Sequence, residues 1–155
     1  MRHKLIASIR TNAPSIVFDF RYDTFHTKRY LLPSLYRQYV EIVHANRLAA
    51  EPFQIHFCNY NKDGPFHKAY STQISYDENL IFETEKSYLD LFPKDKLVYL
   101  SKDASKPLKT FDPNRVYIVG SIIDSGLRED RLASYSQAKR DGIECVRLPL
   151  DENVK

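Results

Sequence analysis

Cysteine is scarce, long apolar runs are missing, and none of the familiar glycine-rich nucleotide signatures occurs. Cys58 and Cys145 are too few and too isolated to suggest a disulfide framework, which points to a reducing compartment. No apolar run approaches the roughly 20 residues that span a bilayer, so no membrane segment is expected. G-x-G-x-x-G, G-x-x-x-x-G-K-S/T and G-x-S-x-G are all absent, so nothing signals a dinucleotide fingerprint, a P-loop or a nucleophile elbow. The basic N-terminal residues Arg2 and Lys4 are not followed by the apolar stretch of a secretory signal. With Arg10, Ser8 and Thr11 they resemble a short mitochondrial presequence, and the better reading is a chain that begins inside a longer protein.

What is present suits one globular domain. The 155 residues can bury a single core, and 43% hydrophobic with 28% charged residues is an ordinary soluble balance. The net charge of +3 is unevenly spread: residues 1–50 carry eight Lys/Arg against three Asp/Glu, and residues 51–100 carry five against eight. A basic N-terminal third is compatible with a polyanion such as RNA, and equally with a solvated surface.

Apolar, β-branched runs predict strands at 15–19, 53–57, 79–82, 96–100, 116–123 and 143–148. The run at 116–123 is the most apolar and suits a strand buried on both faces. Helical spacing from 28 to 50 predicts a helix whose regular part starts at Pro33, with Leu35, Tyr36, Tyr39, Val40, Ile42 and Val43 as its apolar stripe. A short helix follows Pro65, and another covers 132–140, stopped by Asp141-Gly142. Strands joined by helical crossovers imply an α/β fold with a largely parallel sheet and flanking helices. Residues 1–14 read as an N-terminal extension and 15–155 as the domain.

Parallel sheets bind ligands beyond the carboxyl ends of their strands. Three predicted strands end in small or polar residues: Tyr99-Leu-Ser-Lys-Asp103, Gly120-Ser121 leading to Asp124-Ser-Gly126, and Leu148-Pro-Leu-Asp151. They form either a pocket with exposed backbone groups or three ordinary polar turns. Asp19 and Asp23 are either paired carboxylates or, more simply, a strand-end acceptor and a turn residue. His56 and Cys58 sit two residues apart, as a packed strand or as half of a metal site that has no second pair. Aromatics interleave with bases at Arg21-Tyr22, Lys28-Arg29-Tyr30 and Tyr36-Arg37, a mixture that suits base stacking and phosphate contact as well as helix packing.

In order, Ile16-Val-Phe-Asp-Phe-Arg-Tyr-Asp23, Ala45-Asn-Arg47, Tyr99-Leu100, Val116-Tyr-Ile-Val-Gly-Ser-Ile-Ile-Asp124 and Leu148-Pro-Leu150 resemble the tRNA purine-9 N1-methyltransferases of the SPOUT superfamily. The stretches 57–64 and 83–95 resemble the branch that supplies the methyltransferase subunit of mitochondrial ribonuclease P. The resemblance implies a SPOUT-type domain whose C-terminal knot is truncated in this chain, with poor cofactor binding by this stretch alone. It implies S-adenosylmethionine as cofactor, held by Leu100, Ser101, Gly120, Ser121, Ile123, Leu148 and Leu150. Lys102 stands where a small or hydroxyl-bearing residue is expected. Asp124 matches the family's proposed general base, and Arg21, Arg29 and Arg47 are the candidate RNA contacts. The implied partners are tRNA or pre-tRNA, a short-chain dehydrogenase subunit and a metallonuclease subunit of mitochondrial ribonuclease P, in the mitochondrial matrix and without a membrane. The alternative is a catalytically silent RNA-binding scaffold that presents pre-tRNA to a nuclease.

Overall fold

The computed structural model describes residues 2–10, 13–25, 31–75, 79–122 and 132–149. Six strands form one sheet: β1 (Ser15–Asp19), β2 (Gln54–Cys58), β3 (Ile81–Glu83), β4 (Leu97–Leu100), β5 (Val116–Gly120) and β6 (Glu144–Val146). Their order is β3-β2-β1-β5-β4-β6, and every pairing is parallel. Such a sheet needs cover on both faces, and alternate side chains supply two separate cores.

On one face Val17, Cys58, Tyr99 and Ile118 are each fully buried with Tyr88 and Ala138. The cover is α4 (Tyr88–Leu91) and α5 (Ala133–Asp141). On the other face Phe18, Ile55 and Phe57 pack with Leu35 and Tyr39 of α2 (Leu31–Leu48) and Phe66 of α3 (Pro65–Tyr70). Val116, Tyr117 and Ile118 are all buried, so the expected double-faced strand is present.

Pro33 sits in the first turn of α2, where its missing N–H has no intrahelical acceptor to lose. The buried stripe is narrower than the sequence suggests. Leu31, Leu35 and Tyr39 are buried, whereas Val40 and Ile42 are exposed. At the far end Asn46 clamps the helix to the entry of β2: its Nδ2 donates to the Phe53 carbonyl at 3.0 Å and its Oδ1 accepts the Phe53 N–H at 2.8 Å. Gly142 ends α5 in the left-handed region (φ 66°), and the amides of Gly142 and Ile143 close back onto Lys139 and Ala138.

Four departures have physical causes. β5 stops at Gly120 rather than 123, because its neighbours stop first: Asp19 is opposite Gly120, and Leu100 is opposite Val119. β6 is also shorter than 143–148. Beyond it Arg147 bridges to Pro107, and the chain around 106–108 covers the outer edge of the sheet. Residues 2–10, part of the expected N-terminal extension, form α1 (Arg2–Arg10) with Leu5 buried and contacts to β2. α4 was also unforeseen. Its signal was the capping box Ser87-x-x-Asp90, in which Ser87 accepts the Leu89 amide and Asp90 accepts the Ser87 amide.

Cys58 and Cys145 are free thiols on β2 and β6, four strand spacings apart. At about 4.8 Å per spacing that is roughly 19 Å, far beyond disulfide reach.

Candidate functional site

The sheet topology makes β1, β5, β4 and β6 consecutive, so the carboxyl ends of the last three lie side by side along one edge. Leu100, Ser101, Gly120, Ser121 and Leu148, all expected at the cofactor site, lie at these ends. Ile123, Asp124 and Leu150 lie outside the described residues.

Asp19 closes β1, the neighbour of β5 at one end of this edge, and is fully buried. Its Oδ1 accepts the Arg21 amide at 3.2 Å and Asn59 Nδ2 at 2.9 Å. Its Oδ2 accepts Arg21 Nε at 2.8 Å and the Tyr99 hydroxyl at 2.8 Å. Four donors thus surround one carboxylate, as buried charge requires. Asn59 reaches it from a left-handed backbone conformation (φ 51°) just past β2.

From Tyr99 the hydrogen bonds continue outward. Tyr99 has given its only proton to Asp19, so its oxygen accepts from Tyr22 at 2.8 Å. Tyr22 in turn accepts from Ser134, in the first turn of α5. Burial pushes the Tyr22 phenol up to about 12, against the hydrogen bond that it accepts from Ser134. Burial, then the Asp19 charge, raises the Tyr99 phenol well above its ordinary value. Both are neutral donors at any physiological pH.

Gly120 lies beneath this chain of hydroxyls. A Cβ at position 120 would stand 2.9 Å from Ser134 Oγ, 3.1 Å from Tyr22 Cε2 and 3.4 Å from the Tyr99 hydroxyl. The close approach that glycine permits here is therefore made by the protein's own side chains. Ser121 is buried: its hydroxyl pairs with Tyr39 and its amide donates to the Asp19 carbonyl at 2.9 Å. Ser101 is also inward. Its amide donates to Val146, its carbonyl accepts from Ala104 and its hydroxyl accepts from the Asp103 amide at 3.3 Å. Leu100 is half-buried, whereas Leu148 is 46% exposed and presents an apolar face at the rim.

Among the candidate RNA contacts, Arg21 points inward. It pairs with Asp19, touches the Tyr88 hydroxyl at 3.3 Å and lies 3.9 Å from Asp141, with a quarter of its side chain exposed. Tyr88 also donates to Asp141, so Arg21 joins β1 to both α4 and α5. Arg47 lies away from the edge, on a groove of about 260 Å³ along α2 that His44, Gln73 and Asn79 also line. Arg29 is outside the described residues.

The two carboxylates of the opening motif do not act as a pair. Asp23 is buried beside α3, where it accepts the Phe66 amide, and burial raises its pKa. Among the described residues no group of three or more His, Cys, Asp or Glu could hold a metal ion. His56 packs between Phe82 and Phe92, and burial lowers its pKa to about 4. Burial likewise lifts the Cys58 thiol to about 12, leaving a packed strand with no thiolate.

Residues 2–155 match the family described as tRNA (guanine(9)-N(1))-methyltransferase TRM10/TRM10A. The chain belongs to the TRM10 family. Human tRNA methyltransferase 10 homolog C is 37% identical over 142 residues, covering 90% of this chain and 34% of the human protein. The Drosophila melanogaster mitochondrial ribonuclease P protein 1 homolog is 34% identical over 149 residues, 92% of this chain and 32% of its own length. The chain thus spans about a third of the length of the curated relatives it matches. Full-length spTrm10, crystallised as a complex with SAH, superposes with a TM-score of 0.78 at 30% identity, over 91% of this chain and 80% of that one. The six-stranded parallel sheet with flanking helices is the TRM10 fold.

The sequence did not point to Tyr22, Asn59, Tyr88, Ser134 or Asp141 as members of the edge network. The available signal was chemical: Asp19 and Asn59 end neighbouring parallel strands, where a buried polar side chain must find partners.

Proposed function

We propose that this chain is an S-adenosylmethionine-dependent methyltransferase domain acting on N1 of the purine at position 9 of tRNA. The carrying observation is the adjacency of β5, β4 and β6, which lines up Gly120–Ser121, Leu100–Ser101 and Leu148 along one edge. An exposed leucine beside strand-end backbone suits an adenosine, which needs an apolar wall and a few fixed polar groups. In this reading Leu100, Ser101, Gly120, Ser121, Ile123, Leu148 and Leu150 hold the cofactor. Since the hydroxyls and the amides of Ser101 and Ser121 are engaged internally, both contribute carbonyl oxygens, which have a second lone pair to offer.

The bound cofactor supplies an electrophilic methyl group on a sulfonium. The chain must orient purine N1 toward it and exclude water, and alignment is the largest part of the acceleration. Asp124 is assigned the proton chemistry. Guanine N1 must lose a proton, which a carboxylate accepts; adenine N1 attacks with a free lone pair and becomes cationic, which a carboxylate steadies. Arg29 and Arg47 are the better RNA contacts, since Arg21 is largely committed to Asp19.

The relatives named tRNA methyltransferase 10 homolog C and mitochondrial ribonuclease P protein 1 homolog support a mitochondrial setting. There the partners are pre-tRNA, a short-chain dehydrogenase subunit and a metallonuclease subunit, in the matrix. The test is incubation with methyl-labelled S-adenosylmethionine and mitochondrial tRNA, with and without the dehydrogenase, followed by mass spectrometry of the position-9 nucleoside. A 1-methylpurine at position 9 is expected. Bound tRNA that stays unmethylated at saturating cofactor overturns the enzymatic reading in favour of a scaffold.

A further inference from the structure

Asp19, Tyr99, Tyr22 and Ser134 come from four different elements, and one directional chain of hydrogen bonds joins them across the strand end at Gly120. The direction is fixed at one end. Asp19 only accepts, so each hydroxyl must donate toward it: Ser134 to Tyr22, Tyr22 to Tyr99, Tyr99 to Asp19. Asp19 also fixes the strand end through its backbone, because its carbonyl accepts the Ser121 amide at 2.9 Å. Ser121 and Ser134 bracket Asp124 in the sequence. One buried carboxylate therefore sets the position of the chain on both sides of the proposed base.

We propose that Tyr22 and Tyr99 are positioning residues for methyl transfer, holding the Gly120–Ser121 strand end and the start of α5 at a fixed separation. This rests on the cofactor reading of the same edge. Neither tyrosine need touch cofactor or RNA, and neither is an acid or base, since both phenols are held neutral by burial. Their rings fill the core on the α4/α5 side of the sheet. Replacement by phenylalanine keeps that packing and removes only the oxygen.

Calorimetric titration with S-adenosylmethionine and steady-state methylation of tRNA, on Tyr22→Phe and Tyr99→Phe, test the assignment. Tyr117→Phe is the matched control: Tyr117 is equally buried but on the opposite face, and its hydroxyl accepts the Asp112 amide at 2.8 Å. Loss of one buried hydrogen bond corresponds to about a five- to tenfold change. The dissociation constant and KM for S-adenosylmethionine should rise by about that factor in Tyr22→Phe and Tyr99→Phe, with kcat at saturating cofactor changed much less. Because both deletions break one chain, the double variant should lose little more than either single. Tyr117→Phe should lose comparable thermal stability with no change in cofactor affinity.

Unchanged affinity in both chain variants overturns the positioning role while leaving the methyltransferase reading intact. Equal affinity losses in all three variants also overturn it, since they would report general destabilisation. Absence of S-adenosylmethionine binding by the full-length wild-type protein overturns the cofactor reading and this assignment together.

Discussion

The Tyr99 hydroxyl donates to Asp19 Oδ2 at 2.8 Å, from β4 to β1, across the end of the strand that separates them. Such a bond passes over β5 only where β5 carries no side chain, and the residue opposite Asp19 is Gly120. A strand-end glycine that looks like room for a ligand is occupied space, filled by Ser134, Tyr22 and Tyr99.

Gly120→Ala should therefore destabilise the domain without any backbone strain. Its Cβ would meet Ser134 Oγ at 2.9 Å and the Tyr22 ring at 3.1 Å. Overpacking of this kind costs about 1–3 kcal/mol. Urea denaturation measures it, and an unchanged midpoint would show that the edge yields freely.

Arg21→Ala should cost more, and should act on stability. Asp19 is fully buried and Arg21 is its only cationic partner among the described residues. Breaking a buried pair from one side typically costs about 3–5 kcal/mol. Calorimetric melting is the measurement. A variant that melts like wild type and only binds tRNA more weakly would restore Arg21 to the RNA-binding set.

His56 should make the domain acid-sensitive well above the carboxylate range. Its pKa falls from an ordinary 6.5 to about 4 through burial between Phe82 and Phe92. A depressed folded-state pKa means that the unfolded chain takes up the proton first. The stability contribution is complete above pH 6.5, is lost as pH falls toward about 4, and is flat below that. Integrated over that window it is at most about 3 kcal/mol. His56→Phe should flatten this part of the profile. A wild-type profile already flat between pH 6.5 and 4 would contradict the burial argument.

Much of the frame was legible because parallel strands buried on both faces announce themselves as apolar runs. Residues 116–118 are the clearest case, and β1 was read with its observed bounds. Strand ends were less legible, since β5 ends where β1 and β4 stop supplying partners, a fact held by other parts of the chain. α1 was missed because a basic nine-residue segment with one buried leucine carries little periodic signal. Asp19 was read as a strand-end acceptor, which it is. Its donors Asn59 and Tyr99 lie 40 and 80 residues away, and no local pattern could have named them.

Asp124→Asn should slow methyl transfer far more than it weakens cofactor binding. Loss of one proton-transfer group typically costs about 10²–10⁴ in rate. Single-turnover kinetics at saturating S-adenosylmethionine, on guanine-9 and adenine-9 tRNAs, separate the two effects. An unchanged rate on both substrates would remove Asp124 from the mechanism.

The proposed site puts S-adenosylmethionine on the edge where β4, β5 and β6 end. Amide hydrogen exchange of the protein with and without saturating S-adenosylmethionine addresses it residue by residue. Protection should appear at residues 100–103, 120–124 and 148–150 and be absent from the groove along α2 that Arg47 lines. Protection confined to that groove, or none at saturating cofactor, would contradict the site.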